Sequence, residues 1–242
     1  VPRRGELASG PTRTAPARRD RAEPPRPRAE ERHARFLHFD AGMVTLYTWT
    51  TPNGRKPAIL LAELEMPYEL ELVDLSRGVQ KTPEYLAINP NGKIPALVDD
   101  GVTVFESGAI LLYLAEKANE LIPTTKEGRA EVLSWLFWQV GGQGPFFGQL
   151  HRFRDERPRD QKAYERFLDE SRRLVWVLDR RLADREYVCG YYTIADIAIY
   201  PWMVVAEEAM PEALAGARHV RPWLARVGER PAVKLGMALQ AA

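Results

Sequence analysis

Three short stretches carry residue types whose spacing could do chemistry. The first is Thr51-Pro52-Asn53-Gly54-Arg55-Lys56, between the apolar run Val44-Thr45-Leu46-Tyr47 and the helical run from Pro57 to Leu64. It reads as a strand-to-helix turn with Thr51 as N-cap and Pro52 at the first helical position, where a missing N–H costs nothing. Such a turn presents unpaired N–H groups and the positive end of a helix dipole, which suit a small anion such as a thiolate. The same residues also make an ordinary capped helix without a ligand. The second stretch is Ile94-Pro95, where a proline opens a strand and leaves the Ile94 N–H and C=O to pair with an extended peptide. A strand-edge proline with no ligand is the alternative. The third is Glu106-Ser107, where a strand gives way to a helix. A helix N-terminus and a hydroxyl can hold a carboxylate there, and the Glu106 carboxylate can take an ammonium. A plain Ser N-cap after a surface Glu reads equally well.

Cys189 is the only cysteine in 242 residues. That excludes an intrachain disulfide framework, a CxxC redox pair and a cysteine-cluster metal site, and no metal constellation is visible among the histidines. A cytoplasmic setting is the default expectation. With 45% hydrophobic and 28% charged residues the chain can bury one large core or two modest ones. No apolar run is long enough to span a bilayer. The formal charge of +1 does not call for nucleic acid or an anionic membrane. Of 34 basic and 33 acidic residues, 10 and 6 fall before Met43, which leaves the remainder near −3.

The elements that must position these residues begin at Met43. Residues 1–42, rich in Arg, Pro, Ala and Glu, cannot bury enough apolar surface to offset their ordering entropy and are expected to be a disordered leader. A strand over Val44 to Thr48, a helix from Asn53 to Glu65 and a strand over Tyr68 to Leu72 make a β-α-β unit with parallel strands. Ser76 to Ile88 reads as an irregular or weakly helical connection ending in the turn Asn89-Pro90-Asn91-Gly92. Strands over Pro95 to Asp99 and Val102 to Phe105 flank hairpin chemistry at Asp100-Gly101, and a helix capped by Ser107 follows. The expected fold is therefore α/β plus all-α. A thioredoxin-like domain of order β-α-β-α-β-β-α spans 43–119, a linker 120–126, and an all-helical domain 127–242. In the latter, helices run from Glu127 to Gly141, broken or bent by Gly141-Gly142-Gln143-Gly144-Pro145, and from Lys162 to Leu182. Thr193 and Asp196 form a capping box, with Tyr192 stapled on Ile197, for a helix apolar nearly all round and hence central. Arg221 to Glu229 and Ala232 to Leu239 complete it.

From Met43 onward the chain resembles the cytosolic glutathione transferases. Asn89 to Ala96 looks like their cis-proline segment, Phe105 to Ile110 their γ-glutamyl site, and Tyr192 to Asp196 their helical-domain capping box. Thr51-Pro52-Asn53-Gly54, Trp138-Gln139-Val140-Gly141-Gly142 and Gly144-Pro145 more narrowly resemble the bacterial nu class, whose members reduce disulfides with glutathione.

The resemblance implies a cis Ile94-Pro95 bond and glutathione or glutathione disulfide as bound co-substrate. Asn53, Gln80, Lys93, Ile94, Pro95, Glu106, Ser107 and Arg166 would contact it. Thr51 and Asn53 would act catalytically as donors to the thiolate, since neither can be a base. Trp138, Phe146, Phe147 and His151 would flank a second-substrate site. Gln80, Lys93 and Arg166 read also as solvated surface, and the aromatic set as core. With no protein thiol at the turn, the nucleophile would be glutathione's own sulfur, attacking a small organic disulfide or an electrophile. Generic conjugation is the near alternative, and a non-catalytic binding or regulatory protein of transferase fold is another. An RNA-associated role of the Arg-rich leader is a minor third. Family likeness also implies a homodimer through the helices that start at Ser107 and Glu127.

Overall fold

A computed structural model of the chain describes residues 44–239. The leader expected over residues 1–42 and the start at Met43 lie outside the described residues. Strands β1 (Val44–Thr48) and β2 (Tyr68–Leu72) run parallel, joined by helix α1 (Pro52–Glu63). Strands β3 (Ala96–Asp99) and β4 (Val102–Phe105) are antiparallel to their neighbours, giving the sheet order β2-β1-β3-β4. The hairpin turns on Asp100 and Gly101, with φ of 47° and 77°, the pair of left-handed conformations that a type I′ connection requires. The connection expected to be irregular contains a 3-10 turn at Val79–Lys81 and the short helix α2 (Pro83–Ile88), capped by the Thr82 hydroxyl accepting from Tyr85 N at 3.3 Å. Helix α3 (Ser107–Ala118) completes a thioredoxin-like domain.

Strand periodicity divides the sheet between two cores. Leu46 and Leu97 are buried in the main core with Ile59, Leu60, Ile110 and Leu111 of α1 and α3. Tyr47 and Ala96, one residue out of phase, belong instead to a small cluster with Val73 and Tyr85 on the α2 side.

The second domain is all helical: α4 (Lys126–Trp138), α5 (Gly144–Asp155), α6 (Gln161–Leu182), α7 (Ile194–Ala209), α8 (Val220–Gly228) and α9 (Pro231–Met237). The break expected at Gly141 to Pro145 takes the form of a π-helical turn, Gln139–Gln143, through which α4 runs on into α5. Pro145 falls within the first two positions of α5, where a missing N–H is tolerated.

Helix α7 is buried from Ile194 through Pro201, as its uniform apolarity requires. Its capping box is formed, and Asp196 does more than cap. One carboxylate oxygen accepts from Thr193 N at 3.0 Å, and the other from Val188 N and Trp223 Nε1, both at 2.9 Å. Burial raises this carboxyl to about 6 against the opposing pull of those donors. The Tyr192 ring meets Tyr187 edge-on at 5.5 Å and lies under the Arg230 guanidinium at 3.7 Å. Arg230 in turn grips Glu63 at the end of α1 through two bonds of 2.6 and 2.8 Å. With α9 packed along α1, the end of the described chain is fastened back onto the first domain.

Candidate functional site

A cleft of about 460 Å³ opens between the two domains. Its first-domain wall begins at the N-terminus of α1. Thr51 is extended (φ −113°, ψ 159°) and its hydroxyl oxygen accepts from Gly54 N at 3.1 Å. The helix starts hard against the end of β1: Thr48 Oγ1 donates to Gly54 O at 3.0 Å, and a Cβ on Gly54 would lie 2.1 Å from Trp49 O. Only glycine fits there, which explains the Pro-Asn-Gly sequence after the cap. Asn53 follows Pro52 into the cleft. Its Oδ1 accepts from the indole N–H of Trp202, on α7, at 2.9 Å. Indole only donates, so the carbonyl end of the amide is fixed on Trp202 and both Nδ2 hydrogens remain for a ligand.

The next part of the wall is Lys93-Ile94-Pro95. The Ile94-Pro95 peptide is cis. Pairing of β3 with β1 stops at Ala96, so Ile94 lies beyond the last paired residue. Asn89 Nδ2 and Tyr85 Oη both donate to Lys93 O, at 2.6 and 2.7 Å, which holds the approach to the proline rigid.

Glu106 and Ser107 close this side. Ser107 was expected as the cap of α3; instead Glu106 is the N-cap and Ser107 the first helical residue. Glu106 has φ 72° and ψ 122°, a conformation costly for a non-glycine residue and of the kind that collects at ligand sites. Its carboxylate accepts from Asn91 Nδ2 at 3.2 Å. The Ser107 hydroxyl is thereby free of capping duty.

Beneath Ser107 lies a lysine that closes the first stretch, with no role assigned to it from sequence. Lys56 is 1% exposed, and its Nζ donates to Gln139 Oε1 at 2.8 Å and Ser107 Oγ at 3.4 Å. Burial lowers this ammonium to about 7, with the Glu106 charge pulling the other way. An unfolded lysine titrates near its model value of 10.5, so between about 7 and 10.5 the unfolded chain binds a proton that the folded chain has released. The stability difference between the wild type and Lys56→Met should therefore move in favour of the wild type as pH rises from 7 to 9, by a few kcal/mol at most. Denaturant midpoints at the two pH values measure it, and parallel pH profiles would contradict the buried charge.

The structure brings together Asn53, Lys93, Ile94, Pro95, Glu106 and Ser107 of the residues picked from sequence. Thr51 stands behind Asn53 as cap rather than in the lining. Gln80 is half-buried in the 3-10 turn and Arg166 is exposed on α6, both outside the lining. None of the expected second-substrate residues lines the cleft. Phe147 is fully buried in the core, Trp138 lies edge-on to Trp135, and Phe146 meets Phe167. His151 is half-buried further along α5. The helical-domain wall consists instead of Gln139, Val140, Gly144, Pro145, Gly148, Gln149 and Trp202. The sequence assigned no site role to Lys56, Gln139 or Trp202; Lys56 stands beside Arg55 just before the apolar run from Pro57, where it reads as ordinary solvated charge.

Cys189 is buried away from this lining, and burial together with the Asp196 charge pushes its thiol far up. It stays protonated and unreactive. Among the described residues, no group of three or more His, Cys, Asp or Glu could hold a metal, and no helix is long and apolar enough to cross a membrane.

Residues 42–116 match the glutathione S-transferase N-terminal domain and residues 137–231 the glutathione S-transferase C-terminal domain. The chain belongs to the glutathione S-transferase family. Among its relatives, the disulfide-bond oxidoreductase YfcG of Escherichia coli is 46% identical over 206 residues, covering 81% of this chain and 94% of its own length. Two solved transferases have the same architecture. One from Burkholderia graminis, with two glutathione molecules bound per subunit, has a TM-score of 0.77 at 42% identity, covering 81% of this chain and 87% of that one. One from Pseudomonas putida, with one glutathione disulfide bound per subunit, has a TM-score of 0.78 at 35% identity, covering 87% and 97%. Seen within the glutathione S-transferase family, the cleft lies where its two domain types meet.

Proposed function

We propose that this transferase binds glutathione or glutathione disulfide in the interdomain cleft and reduces a small organic disulfide with glutathione's own thiolate. The observation that carries the reading is the Asn53 amide, which lines the cleft at a helix N-terminus with its oxygen held by the Trp202 indole. Ser107 and the start of α3 hold the γ-glutamyl carboxylate, Glu106 its ammonium, and Ile94 pairs with the cysteinyl unit as an added strand. Lys93 attends the glycine end, while Gln80 and Arg166, outside the lining, would have to reach the ligand from its outer edge. The sulfur would then lie near Asn53, whose amide and helix dipole favour the thiolate, with Thr51 behind it as the cap.

The thiolate attacks one sulfur of the substrate disulfide. A mixed disulfide forms and the other sulfur leaves as a thiolate that takes a proton from solvent. A second glutathione thiolate then attacks the glutathione sulfur of the mixed disulfide, giving glutathione disulfide and the second thiol. The protein supplies no redox-active sulfur, so every electron comes from glutathione. The likeness to the oxidoreductase YfcG and to transferases holding two glutathiones or their disulfide supports this order.

The experiment compares two assays on the purified chain. Glutathione-dependent reduction of 2-hydroxyethyl disulfide with negligible turnover of an aryl halide is the expected result. The reverse would establish conjugation of electrophiles, and failure to bind immobilised glutathione would leave only a non-catalytic transferase fold.

The same proposal includes a homodimer. Val102 and Phe105 on edge strand β4 and Phe137 at the end of α4 are exposed, Phe137 by 67%. A second copy of the chain would cover them. Phe137→Glu should convert a dimer to a monomer in light scattering; a monomeric wild type would end this part of the reading. The single buried cysteine fits a reducing, cytoplasmic setting.

A further inference from the structure

Arg230 stands outside the cleft, at the far end of the helix whose first turn carries Asn53. Its guanidinium takes both oxygens of Glu63, a side chain only 4% exposed, and lies 3.7 Å over the ring of Tyr192, just before α7. Glu63 follows Asn53 by ten residues on α1, and Trp202 follows Tyr192 by ten residues into α7. Since α1 and α7 pack directly on one another, they are cross-linked twice, at points about 15 Å apart. Asn53 meets Trp202 at the cleft, and Glu63 meets Tyr192 through Arg230 at the far end.

Close packing fixes the parts around both links. A Cβ on Gly236 of α9 would lie 2.5 Å from Ile59 N and 2.6 Å from Ile59 Cα, so α9 rests backbone to backbone on α1 beside the Arg230 grip. At the cleft end, the Trp202 indole lies against two glycines of α5: a Cβ on Gly144 or Gly148 would stand 3.5 Å from it. A two-pronged guanidinium–carboxylate pair fixes direction as well as distance. A shift of α1 along α7 would pull on the 2.9 Å bond from Trp202 to Asn53 and turn the amide. Displacements of about 1 Å set up far from the chemistry can cost up to about a hundredfold in rate.

We propose that Arg230 is a positioning residue for the disulfide reaction: by clamping the end of α1 to the start of α7, it sets the register in which Trp202 holds the Asn53 amide. This rests on the reading that the Asn53 amide favours the glutathione thiolate, and adds to it a control that lies outside the cleft.

The test uses the full chain carrying Arg230→Gln, which loses the charge and the fork. The first readout needs no ligand. The indole N–H proton resonance of Trp202, identified by its loss in Trp202→Phe, should move upfield in Arg230→Gln as the bond to Asn53 weakens, and a resonance at its wild-type position would overturn the proposal. The second is kinetic. Per folded molecule, kcat for glutathione-dependent reduction of 2-hydroxyethyl disulfide should fall about tenfold while KM for glutathione changes less than about threefold. The thiol of bound glutathione, titrated through the absorbance of its thiolate, should ionise at higher pH than in the wild type. In the Asn53→Ala background, Arg230→Gln should cost less than about twofold, since both act through one amide. A residue that merely holds the structure together lowers the folded fraction and leaves kcat per folded molecule and the thiol titration where they were. That result, or an additive loss with Asn53→Ala, overturns the proposal. Glu63→Gln, which weakens the same grip from the other side, decides the question if Arg230→Gln does not fold: kcat should fall about threefold with the same change in the thiol titration, and a wild-type kcat overturns the proposal. If Asn53→Ala itself turns over as the wild type does, the thiolate reading falls and Arg230 with it. A slow Asn53→Ala beside an Arg230→Gln as fast as the wild type removes Arg230 alone.

Discussion

Asn53→Ala lowers kcat for glutathione-dependent disulfide reduction at neutral pH by about a hundredfold while KM for glutathione moves much less, because it removes a donor that favours the thiolate of bound glutathione. In the proposed binding mode, affinity for the tripeptide would be spread over Ile94, Glu106 and Ser107, which the substitution does not touch. The prediction extends to Trp202. Trp202→Phe keeps an aromatic ring but cannot donate to Asn53 Oδ1, so the amide is free to turn its carbonyl toward the thiolate. A loss of about tenfold in kcat follows, and in the Asn53→Ala background the same change should cost little more, since both act through one amide. Thr51→Ala is a mixed case. It forfeits a cap worth about 1 kcal/mol of stability and the support behind Asn53, so its kinetic effect is read after correcting for unfolded protein. Steady-state kinetics of the two single variants and the double decide the matter. Unchanged turnover in Asn53→Ala would remove the amide from the mechanism, and additive losses would separate Trp202 from it.

Asp196→Ala should be the most damaging single change to stability. It strands Val188 N, Thr193 N and Trp223 Nε1 in a fully buried site without an acceptor. At about 1–3 kcal/mol for each orphaned donor, a loss of about 4 kcal/mol is expected. For a chain of this size that lowers Tm by roughly 10 °C. The three donors come from the loop before α7, from the cap itself and from α8, so one carboxylate joins three segments. Asp196→Asn, which keeps one oxygen but turns an N–H toward a donor, should recover only part of the loss. A Tm within about 2 °C of wild type for the alanine variant would show that water substitutes for the carboxylate.

The sequence was most legible where local pattern and tertiary role agree. Strands β1, β2 and β4 fall on the residues expected, and in β1 the period-two alternation is also the alternation between the two cores. The capping box at Thr193 was readable for the same reason: both of its members act within one turn. Ser107 shows how such a rule fails. Serine is the better capper, yet the cap falls on Glu106 in a strained backbone, and the hydroxyl is left for the cleft. Helix α2 carries its signal in Thr82-Pro83-Glu84, but with six residues it lacks a hydrophobic period. The aromatic residues of α4 and α5 misled because helical spacing cannot separate a core face from a pocket face. Lys56, Gln139 and Trp202 left the least trace. Each matters through a partner more than 50 positions away, 149 in the case of Trp202 and Asn53, and no local rule reaches that far.

The π-turn between α4 and α5 has a consequence for how the cleft tolerates insertions and deletions. A π-turn is an α-helical path with one residue too many. Deleting Gly141 or Gly142 would let α4 and α5 merge into one α-helix, and each residue removed rotates everything after it by about 100°. Gly144, Gly148 and Gln149 would swing away from Asn53, and bulkier neighbours would take their place. The far wall of the cleft is thus a matter of phase, set by a single residue of chain length, and side-chain substitution alone could not restore it.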